Sequence, residues 1–408
     1  MHFYTAVMGI IFSISSFTLI AGPLVVLEQA DLNFVKTAIQ EAKAPVDIQR
    51  AYTRLIQQAD EALLLDGYSV VDKTILPPSN NRHDYLSISR YWWPDNSKSD
   101  GLPWVRRDGV TNPDTQTDQV DRKRLGGMSK SVHILALAYF LSGDEKYAQK
   151  GVSFIKRWFL EDDTKMNPHL EFAQSVPGID KRRRSGILDG RLIPEKMLDS
   201  ITLFSASPWW SAKDNEDMNQ WLSEYLSWLT TSKIGKAGAK QTNNHGSWYY
   251  FQVTALSWYL GDTSSLRQAL EHTQSHMMQQ FDEQGAQHHE LARTRPFFYS
   301  CFNLEALTSI AKIANKVDIN LWQYPSAETS VLTTAVDYLI PAAKGEPWRH
   351  GKSPIKATDL IDVLYRYNQY SDGEPQKALF NELVSNIKND KADSYSRFIL
   401  LHPNILSE

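Results

Sequence analysis

The chain has 408 residues, which is enough for one large domain or two domains of ordinary size. Hydrophobic residues make up 42% and charged residues 22%, as in a globular protein with a sizeable core. The formal net charge is −4, so no overall basic field points to a nucleic-acid partner. The single cysteine, Cys301, excludes an intramolecular disulfide and a thiolate metal cluster.

The N-terminal end of the chain looks like a leader. No Lys, Arg, Asp or Glu occurs before Glu28, and residues 3–20 are largely apolar. This pattern predicts a signal peptide over residues 1–21, with an N-terminal membrane anchor as the alternative. We therefore expect a periplasmic or secreted protein with no membrane contact beyond the leader.

Most of the remaining chain shows helical periodicity. In residues 47–64, for example, Ala51, Leu55, Ala59 and Leu63 fall on one stripe. Convincing strand patterns and fixed-length repeats are absent. Helices are predicted at 31–42, 47–64, 129–142, 144–159, 187–206, 214–231, 246–260, 263–281, 297–315, 327–342, 356–370, 374–388 and 393–401.

Two long irregular segments, 76–120 and 161–186, interrupt these helices. The first contains several prolines and the aromatic cluster Tyr91-Trp92-Trp93-Pro94. A long loop within a compact chain is either disordered or functional, and this aromatic density argues against disorder. Paired helices with uneven loops predict an all-α toroid or incomplete helical barrel, with the long loops over one mouth. Because no flexible linker is visible, residues 25–408 are predicted to form a single domain.

Two stretches, 241–250 and 290–299, carry side chains suited to chemistry on a uronic acid. Removing the C5 proton of a 4-linked uronate is difficult because negative charge builds up beside the carboxylate. Asn244, His245 and Arg293 are candidate donors that neutralise this charge. Tyr299 is a candidate base if cationic donors lower its pKa, and an acid once it is protonated. These groups together point to β-elimination.

The same residues resemble a known family. Asn243-Asn244-His245 with Trp248, followed by Glu290-Leu291-x-Arg293 and Tyr299, is similar to the motifs of the alginate lyase superfamily. Within it, the chain resembles the mannuronate-specific lyases, and more closely a mannuronan or glucuronan lyase branch. The resemblance covers roughly residues 75–345 and includes further motifs: His83-Asp84-Tyr85-x-Ser87, Tyr91-Trp92-Trp93-Pro94, Arg107-Asp108-Gly109, Asn167-Pro168, Gln174 and Gly190-Arg191.

This resemblance implies an α/α-toroid that cleaves β-1,4-linked mannuronate or glucuronate and leaves a 4-deoxy unsaturated uronate. It implies that Asn244 and Arg293 hold the carboxylate. His245 would assist as neutraliser or base, and Tyr299 would be the principal acid and base. Since the spacing from Arg293 to Tyr299 is shorter than in the mannuronate lyases, Arg295 is the alternative to Arg293.

The expected partner is an anionic uronan polysaccharide, and no cofactor is implied. The sequence makes no prediction of the oligomeric state. Substrate contacts are expected from Arg295, Trp248, Tyr249, His83, Tyr85, Tyr91, Trp92, Arg107 and Gln174.

Two other function classes remain open. Asp282 and Glu290 would be the carboxylate pair if the chain were a glycoside hydrolase, a class that helical toroids also host. The other class is a catalytically silent uronan-binding protein of the cell envelope. His288 and His289 beside Glu290 superficially suggest a metal site, but adjacent histidines point apart, so no metal is predicted.

Overall fold

The computed structural model describes residues 21–179, 184–326, 328, 330–351, 353–371, 374–390 and 392–406. The predicted signal peptide lies outside these residues except for Ala21. Within the described part, no helix is both long and apolar enough to cross a membrane.

The structure is mainly helical, with short 3-10 turns between the helices. Four short strands lie in the described part of the irregular segments: β1 (Leu86–Ile88), β2 (Trp92–Trp93), β3 (Val105–Arg106) and β4 (Phe172–Ser175). The helices are α1 (Gln29–Gln40), α2 (Val46–Leu63), α3 (Arg122–Ser142), α4 (Glu145–Phe159), α5 (Leu198–Phe204), α6 (Ala212–Thr231), α7 (Lys233–Ala239), α8 (Asn244–Leu260), α9 (Thr263–Gln280), α10 (His288–Leu291), α11 (Pro296–Asn315), α12 (Val331–Asp337), α13 (Ile340–Ala343), α14 (Ile361–Asn368), α15 (Glu374–Asp390) and α16 (Ala392–Leu401).

The helices follow one another around a ring. α2 packs on α3, α3 on α4 and α5, α6 on α8, α8 on α11, and α11 on α14. α14 to α16 then bring the chain back, because α16 packs against α2. This arrangement confirms the predicted helical toroid.

The helices α3, α8 and α11 form the interior of the ring. Almost every residue of α8 is buried, and α11 is buried on most of its surface. A helix that is hydrophobic all round is stable only when neighbours cover every side. By contrast, α4 has a distinct apolar face and leaves its other face to solvent.

Several parts of the sequence-based prediction were wrong. The helix expected at 327–342 is split into α12 and α13, and α7 and α10 were not predicted. The helix expected at 187–206 is a 3-10 turn at Arg184–Arg191, a π-helical turn at Ile193–Met197, and α5. Pro194 lies in the π-helical turn, and a proline cannot donate to the α-helical ladder. The strands were also missed, because two to four residues are too few to show alternation.

The strands shape the irregular segments at one mouth of the ring. β1 pairs with β4 in parallel, and β2 pairs with β3 as an antiparallel hairpin. The N-terminal ends of α8 and α11 open on the same mouth, so these segments and two buried helices meet there.

A buried carboxylate fixes the N-terminal segment to the ring. Asp199 on α5 accepts the backbone N–H groups of Val25, Val26 and Leu27, with distances of 2.9 Å to Val26 and 2.7 Å to Leu27. Its side chain is wholly buried. Without this carboxylate the three N–H groups would lose their acceptor in the protein, so the cost of desolvating them depends on this one side chain.

We expect Asp199→Ala to lower the free energy of unfolding by about 2–4 kcal/mol, because it leaves buried donors without an acceptor. Urea denaturation of the two proteins measures the change. Asp217→Ala is the control, because it removes an exposed ion pair with Lys213 and should cost less than about 1 kcal/mol. Equal losses in both variants would contradict the role of Asp199.

Candidate functional site

A cleft of about 360 Å³ opens at the mouth described above. Its walls come from the two irregular segments, the start of α3, the 3-10 turn at Arg184–Arg191, and the N-terminal turns of α8 and α11. The lining residues are Ser89, Arg90, Tyr91, Trp92, Arg106, Arg122, Gln174, Ser185, Leu188, Arg191, Asn243, Asn244, His245, Arg293, Phe298, Tyr299 and Phe302.

Arginine dominates the charge of this cleft. Five arginines line it, namely Arg90, Arg106, Arg122, Arg191 and Arg293, whereas no Asp or Glu belongs to the described lining. In addition, α8 and α11 direct the positive ends of their backbone dipoles toward it. The cleft is therefore suited to a polyanion.

Four of these arginines form ion pairs with protein carboxylates. Asp189 binds Arg122 at 2.8 Å, and Glu195 lies 3.8 Å from Arg191. Asp108 binds both Arg106, at 2.5 Å, and Arg293, at 2.8 Å.

Arg90 is the exception among the described arginines of the cleft. Among the described residues no carboxylate lies within ion-pair distance of Arg90, although the charge of Asp189 acts on it, and its buried Nε atom has no hydrogen-bond acceptor in the protein. Burial and the nearby charge of Arg122 both lower the pKa of Arg90. Arg90 is therefore the arginine of the described cleft that forms no ion pair with a protein carboxylate.

The start of α8 places Asn244 and His245 at the cleft. Asn243 caps the helix, and its side chain accepts the backbone N–H of His245 at 3.0 Å. Glu290 lies behind Asn244 and accepts its backbone N–H at 2.7 Å and its side-chain amide at 2.9 and 2.7 Å. The amide donors of Asn244 are thus directed at a protein carboxylate.

The start of α11 places Tyr299 beside Arg293. Pro296 occupies the first turn, where its missing N–H is not needed. The guanidinium carbon of Arg293 lies 3.7 Å from the centre of the Tyr299 ring. The Tyr299 hydroxyl donates to the Tyr91 hydroxyl at 2.8 Å, which joins α11 to the segment before β2.

The structure corrects the expected ionisation of Tyr299. Burial is the largest influence and raises the pKa of its phenol, and the hydrogen bond to Tyr91 raises it further. Arg293 lowers the pKa, as expected from the sequence, but does not offset the burial. Tyr299 is therefore protonated at neutral pH and is suited to donating a proton.

Asp189 holds several side chains at and behind the cleft wall in place through hydrogen bonds. This buried carboxylate accepts from Tyr85 at 3.1 Å, from Ser87 at 2.6 Å, and from Gln174 at 3.1 Å. Gln174 has a φ of 50°, an uncommon conformation for a residue with a side chain. Such strain is often retained where a side chain must be aimed at a ligand.

The structure brings together seven of the residues singled out in the sequence. All of them line the cleft: Asn244, His245, Arg293, Tyr299, Tyr91, Trp92 and Gln174.

Three of the other predicted substrate contacts are buried instead. Tyr85 has no exposed surface and bonds to Asp189, while Tyr249 donates to the backbone oxygen of Leu229 at 3.3 Å. Trp248 packs its ring 5.0 Å from that of Phe302, beneath the cleft floor. These rings pack behind the cleft wall, so they are not placed to contact a sugar directly.

Three more predicted contacts lie outside the cleft lining. The His83 ring is 2.6 Å from the backbone oxygen of Lys165. Arg107 lies over the Trp93 ring at 5.1 Å, and Arg295 lies over the Phe298 ring at 4.1 Å. Of the two candidate arginines before Tyr299, the one in the cleft is therefore Arg293.

Sequence reasoning missed several residues of the site. Arg106 and Arg122 lie in the short basic runs 106–107 and 122–124 of the sequence, but nothing in the sequence shows that they face the same space as Arg90 and Arg191. Among the described residues, no group of three or more His, Cys, Asp or Glu side chains is placed to hold a metal ion.

Comparison with known proteins gives consistent matches. A family model described as alginate lyase matches residues 69–349. A crystal structure of an alginate lyase from Bacteroides ovatus is 33% identical, with a TM-score of 0.83, over 93% of this chain and 99% of that one. No curated protein sequence matches.

More distant solved structures share the fold. Alginate lyase A1-III from Sphingomonas species A1 is 16% identical over 86% of this chain and 91% of that one, with a TM-score of 0.53. A variant of alginate lyase A1-III complexed with a tetrasaccharide is 16% identical over 85% and 88%, with a TM-score of 0.55.

Glu290 generates a pH-dependent prediction. Burial raises its pKa to about 6 from an ordinary 4.5, against the hydrogen bonds of Asn244 and the charge of Arg293. A carboxyl with a raised pKa binds its proton more tightly when folded. Its stabilising contribution is therefore complete below the unfolded value and is lost as pH rises through the folded value.

Glu290→Gln removes this titration. We therefore expect the unfolding free energy of the parent, relative to the variant, to fall by about 2 kcal/mol between about pH 4 and pH 7. Urea denaturation of both proteins across that range gives the difference. A difference that does not change with pH would contradict the placement of Glu290.

Proposed function

The chain belongs to the alginate lyase family and is a polysaccharide lyase, and we propose that it cleaves a β-1,4-linked uronic acid polymer. The substrate is polymannuronate, as found in alginate, or glucuronan. This proposal rests on a cleft that is lined by five arginines and by the side chains of His245 and Tyr299. No Asp or Glu belongs to the described lining.

The reaction is β-elimination within one uronate of the polymer. His245 takes the C5 proton, and the electron pair of that bond forms the C4–C5 double bond. The bond from C4 to the glycosidic oxygen breaks, and Tyr299 donates its proton to the leaving oxygen. The phenol of Tyr299 starts protonated, because burial holds its pKa above the ordinary value.

Arg90 holds the carboxylate in this proposal. Its guanidinium is the one in the described cleft without a carboxylate partner, whereas those of Arg122 and Arg293 are bound by Asp189 and Asp108. The N-terminal ends of α8 and α11 carry the positive ends of the helix dipoles. They stabilise the negative charge that develops on the C5 carbanion.

The glycoside hydrolase alternative has no carboxylate pair in the described cleft. The carboxylate of Glu290 is buried behind Asn244. Asp282 lines a separate cavity with Met278 and Phe281. The other alternative was a catalytically silent uronan-binding protein, in which the same arginines would bind the polymer without cleavage, and the match to the alginate lyase family does not favour it.

Incubation with purified polymannuronate, polyglucuronate and polyguluronate tests the substrate. We expect an ultraviolet-absorbing unsaturated product from one or both of the first two polymers. Products without the conjugated double bond would point to hydrolysis, and binding without product would point to the silent binding protein.

We also propose that the protein is exported, on the strength of the apolar, uncharged sequence before Glu28. Cell fractionation should recover it from the periplasm or the medium, and recovery from the cytoplasm alone would refute export.

The first prediction from the mechanism concerns Tyr299→Phe, which removes the proton donor and keeps the ring under Arg293. We expect turnover to fall by about 10²–10⁴-fold while the polymer still binds. Absorbance of the unsaturated product and a binding isotherm measure the two effects. A fully active variant would refute the role of Tyr299.

The arginines give a second prediction. Arg90→Ala should weaken substrate binding and raise KM by about tenfold or more, since a charge-assisted hydrogen bond is lost. Arg293→Ala should mainly lower kcat, because the Arg293 guanidinium lies over the ring of the proton donor, Tyr299. Arg295→Ala is the matched control and should change both constants least. A larger effect at Arg295 than at Arg293 would reverse the assignment.

A further inference from the structure

Glu290 is a buried carboxylate behind the cleft that the proposed reaction does not use. Only 1% of its surface is exposed, and it lies on α10, which packs against α11. All the hydrogen bonds that it accepts from the described residues come from Asn244, the first residue of α8. Arg293 acts on it as a nearby charge but is itself bound by Asp108. A buried carboxylate that is held mainly by neutral donors is costly to keep ionised.

The hydrogen bonds to Glu290 determine which part of the Asn244 amide faces the cleft. The backbone N–H donates to Oε1 at 2.7 Å, and Nδ2 donates to Oε1 at 2.9 Å and to Oε2 at 2.7 Å. Because the nitrogen and the oxygen of a planar amide point in different directions, the carbonyl oxygen Oδ1 is turned away from Glu290. Asn244 lines the cleft, so this oxygen is the part of the amide that a bound carboxylate would meet. It can accept a hydrogen bond but cannot donate one.

The Asn244 amide cannot bind a uronate carboxylate well in this orientation. Two acceptor oxygens would face each other, and ionised Glu290 would add a second negative charge behind them. A half-turn of the amide exchanges Oδ1 and Nδ2, which are nearly equal in size, and would present N–H donors to the carboxylate. Oδ1 would then face Glu290 and would need a donor there. Glu290 supplies such a donor only when its carboxyl is protonated.

We propose that Glu290 is a positioning residue that takes up one proton when a uronate carboxylate binds, which turns the Asn244 amide toward the substrate. In the free protein, ionised Glu290 accepts from Nδ2 of Asn244. In the complex, protonated Glu290 donates its O–H to Oδ1 of Asn244, and Nδ2 donates to the uronate carboxylate. The proton comes from the solvent and returns to it when the product leaves. This role rests on the proposed function, in which the ligand is a uronan.

The free protein holds Glu290 close to the point at which it accepts a proton. Burial raises the pKa of its carboxyl to about 6, whereas the hydrogen bonds from Asn244 and the charge of Arg293 lower it. A substrate carboxylate on the other side of Asn244 would raise this pKa further, because like charges repel. Binding and proton uptake are therefore linked, and each favours the other.

The other titratable or charged groups near Glu290 belong to α8, to α10 itself, to α11 and to the segments beside them: His245, His288, His289, Arg293, Tyr299 and Asp108. The two histidines of α10 are exposed. Some of these groups can also take up a proton when an anion binds. The contribution of Glu290 therefore has to be isolated by substitution.

A simpler role for Glu290 would be to hold the start of α8 while remaining ionised. Glu290→Gln separates the two roles, because glutamine keeps the size of the side chain and can both accept the backbone N–H of Asn244 and donate to its Oδ1. It imitates the protonated carboxyl at every pH. Glu283→Gln is the matched control, since Glu283 is exposed and lines a separate cavity.

Isothermal titration calorimetry counts the protons. Tyr299→Phe, which prevents turnover, is titrated at about pH 7.5 with a mannuronate or a glucuronate tetrasaccharide, in two buffers of different ionisation enthalpy. We expect the uptake to be lower by about half a proton or more per oligosaccharide when Glu290→Gln is added, and unchanged when Glu283→Gln is added. Equal uptake with and without Glu290→Gln would overturn the proposal.

The pH dependence of KM on the substrate polymer gives the second readout. Binding that takes up a proton weakens as pH rises above the pKa of the free group. The KM of the parent, relative to that of Glu290→Gln, should therefore rise by about tenfold or more between about pH 6 and pH 8. A ratio that stays constant would show that Glu290 only holds the start of α8, and would overturn the proposal. A parent that binds the tetrasaccharide but releases no unsaturated product would refute the lyase reaction, and the calorimetry would still decide the proton uptake.

Discussion

The site depends on carboxylates placed behind cationic and amide donors. Glu290 accepts hydrogen bonds from Asn244, and Asp108 accepts them from one edge of Arg293. Asp189 accepts them from Arg122 and Gln174. Each of these charged hydrogen bonds fixes a flexible side chain in one orientation. Five arginines in a small cleft would otherwise repel one another, so the acids behind them make the cluster possible. The lining itself remains cationic.

The toroid supplies the rigidity that such a cluster needs. α8 and α11 lie side by side and are buried almost completely, so their first turns are held in place. His245 and Tyr299 extend from these turns and face the irregular segments, which contribute Arg90 and Tyr91. Groups on rigid elements are positioned more accurately than groups on loops alone. The hydrogen bond between Tyr299 and Tyr91 joins the rigid part to the loop part.

Local patterns in the sequence predicted much of this arrangement. Helical periodicity predicted helices at 246–260 and 297–315, and the motif around Asn244 and His245 pointed to the cleft. The partners could not be predicted in the same way. Asn244 and Glu290 are 46 positions apart, and Arg293 and Asp108 are 185 apart. Only the folded ring decides which acid meets which donor.

The aromatic residues show the same limit. Trp248 and Tyr249 follow His245 directly, and their sequence position suggested contact with substrate. Successive residues of a helix point in different directions, so only one side of α8 reaches the cleft. His245 lies on that side, whereas Trp248 and Tyr249 support the core.

In the proposed mechanism the cationic groups of the cleft have different roles. A crystal structure of the Tyr299→Phe variant with a mannuronate or glucuronate oligosaccharide tests this division of roles. We expect a sugar carboxylate within hydrogen-bond distance of the Arg90 guanidinium, with the pair of Asp108 and Arg293 intact. A carboxylate bound to the Nε and Nη2 edge of Arg293, with Asp108 displaced, would contradict it.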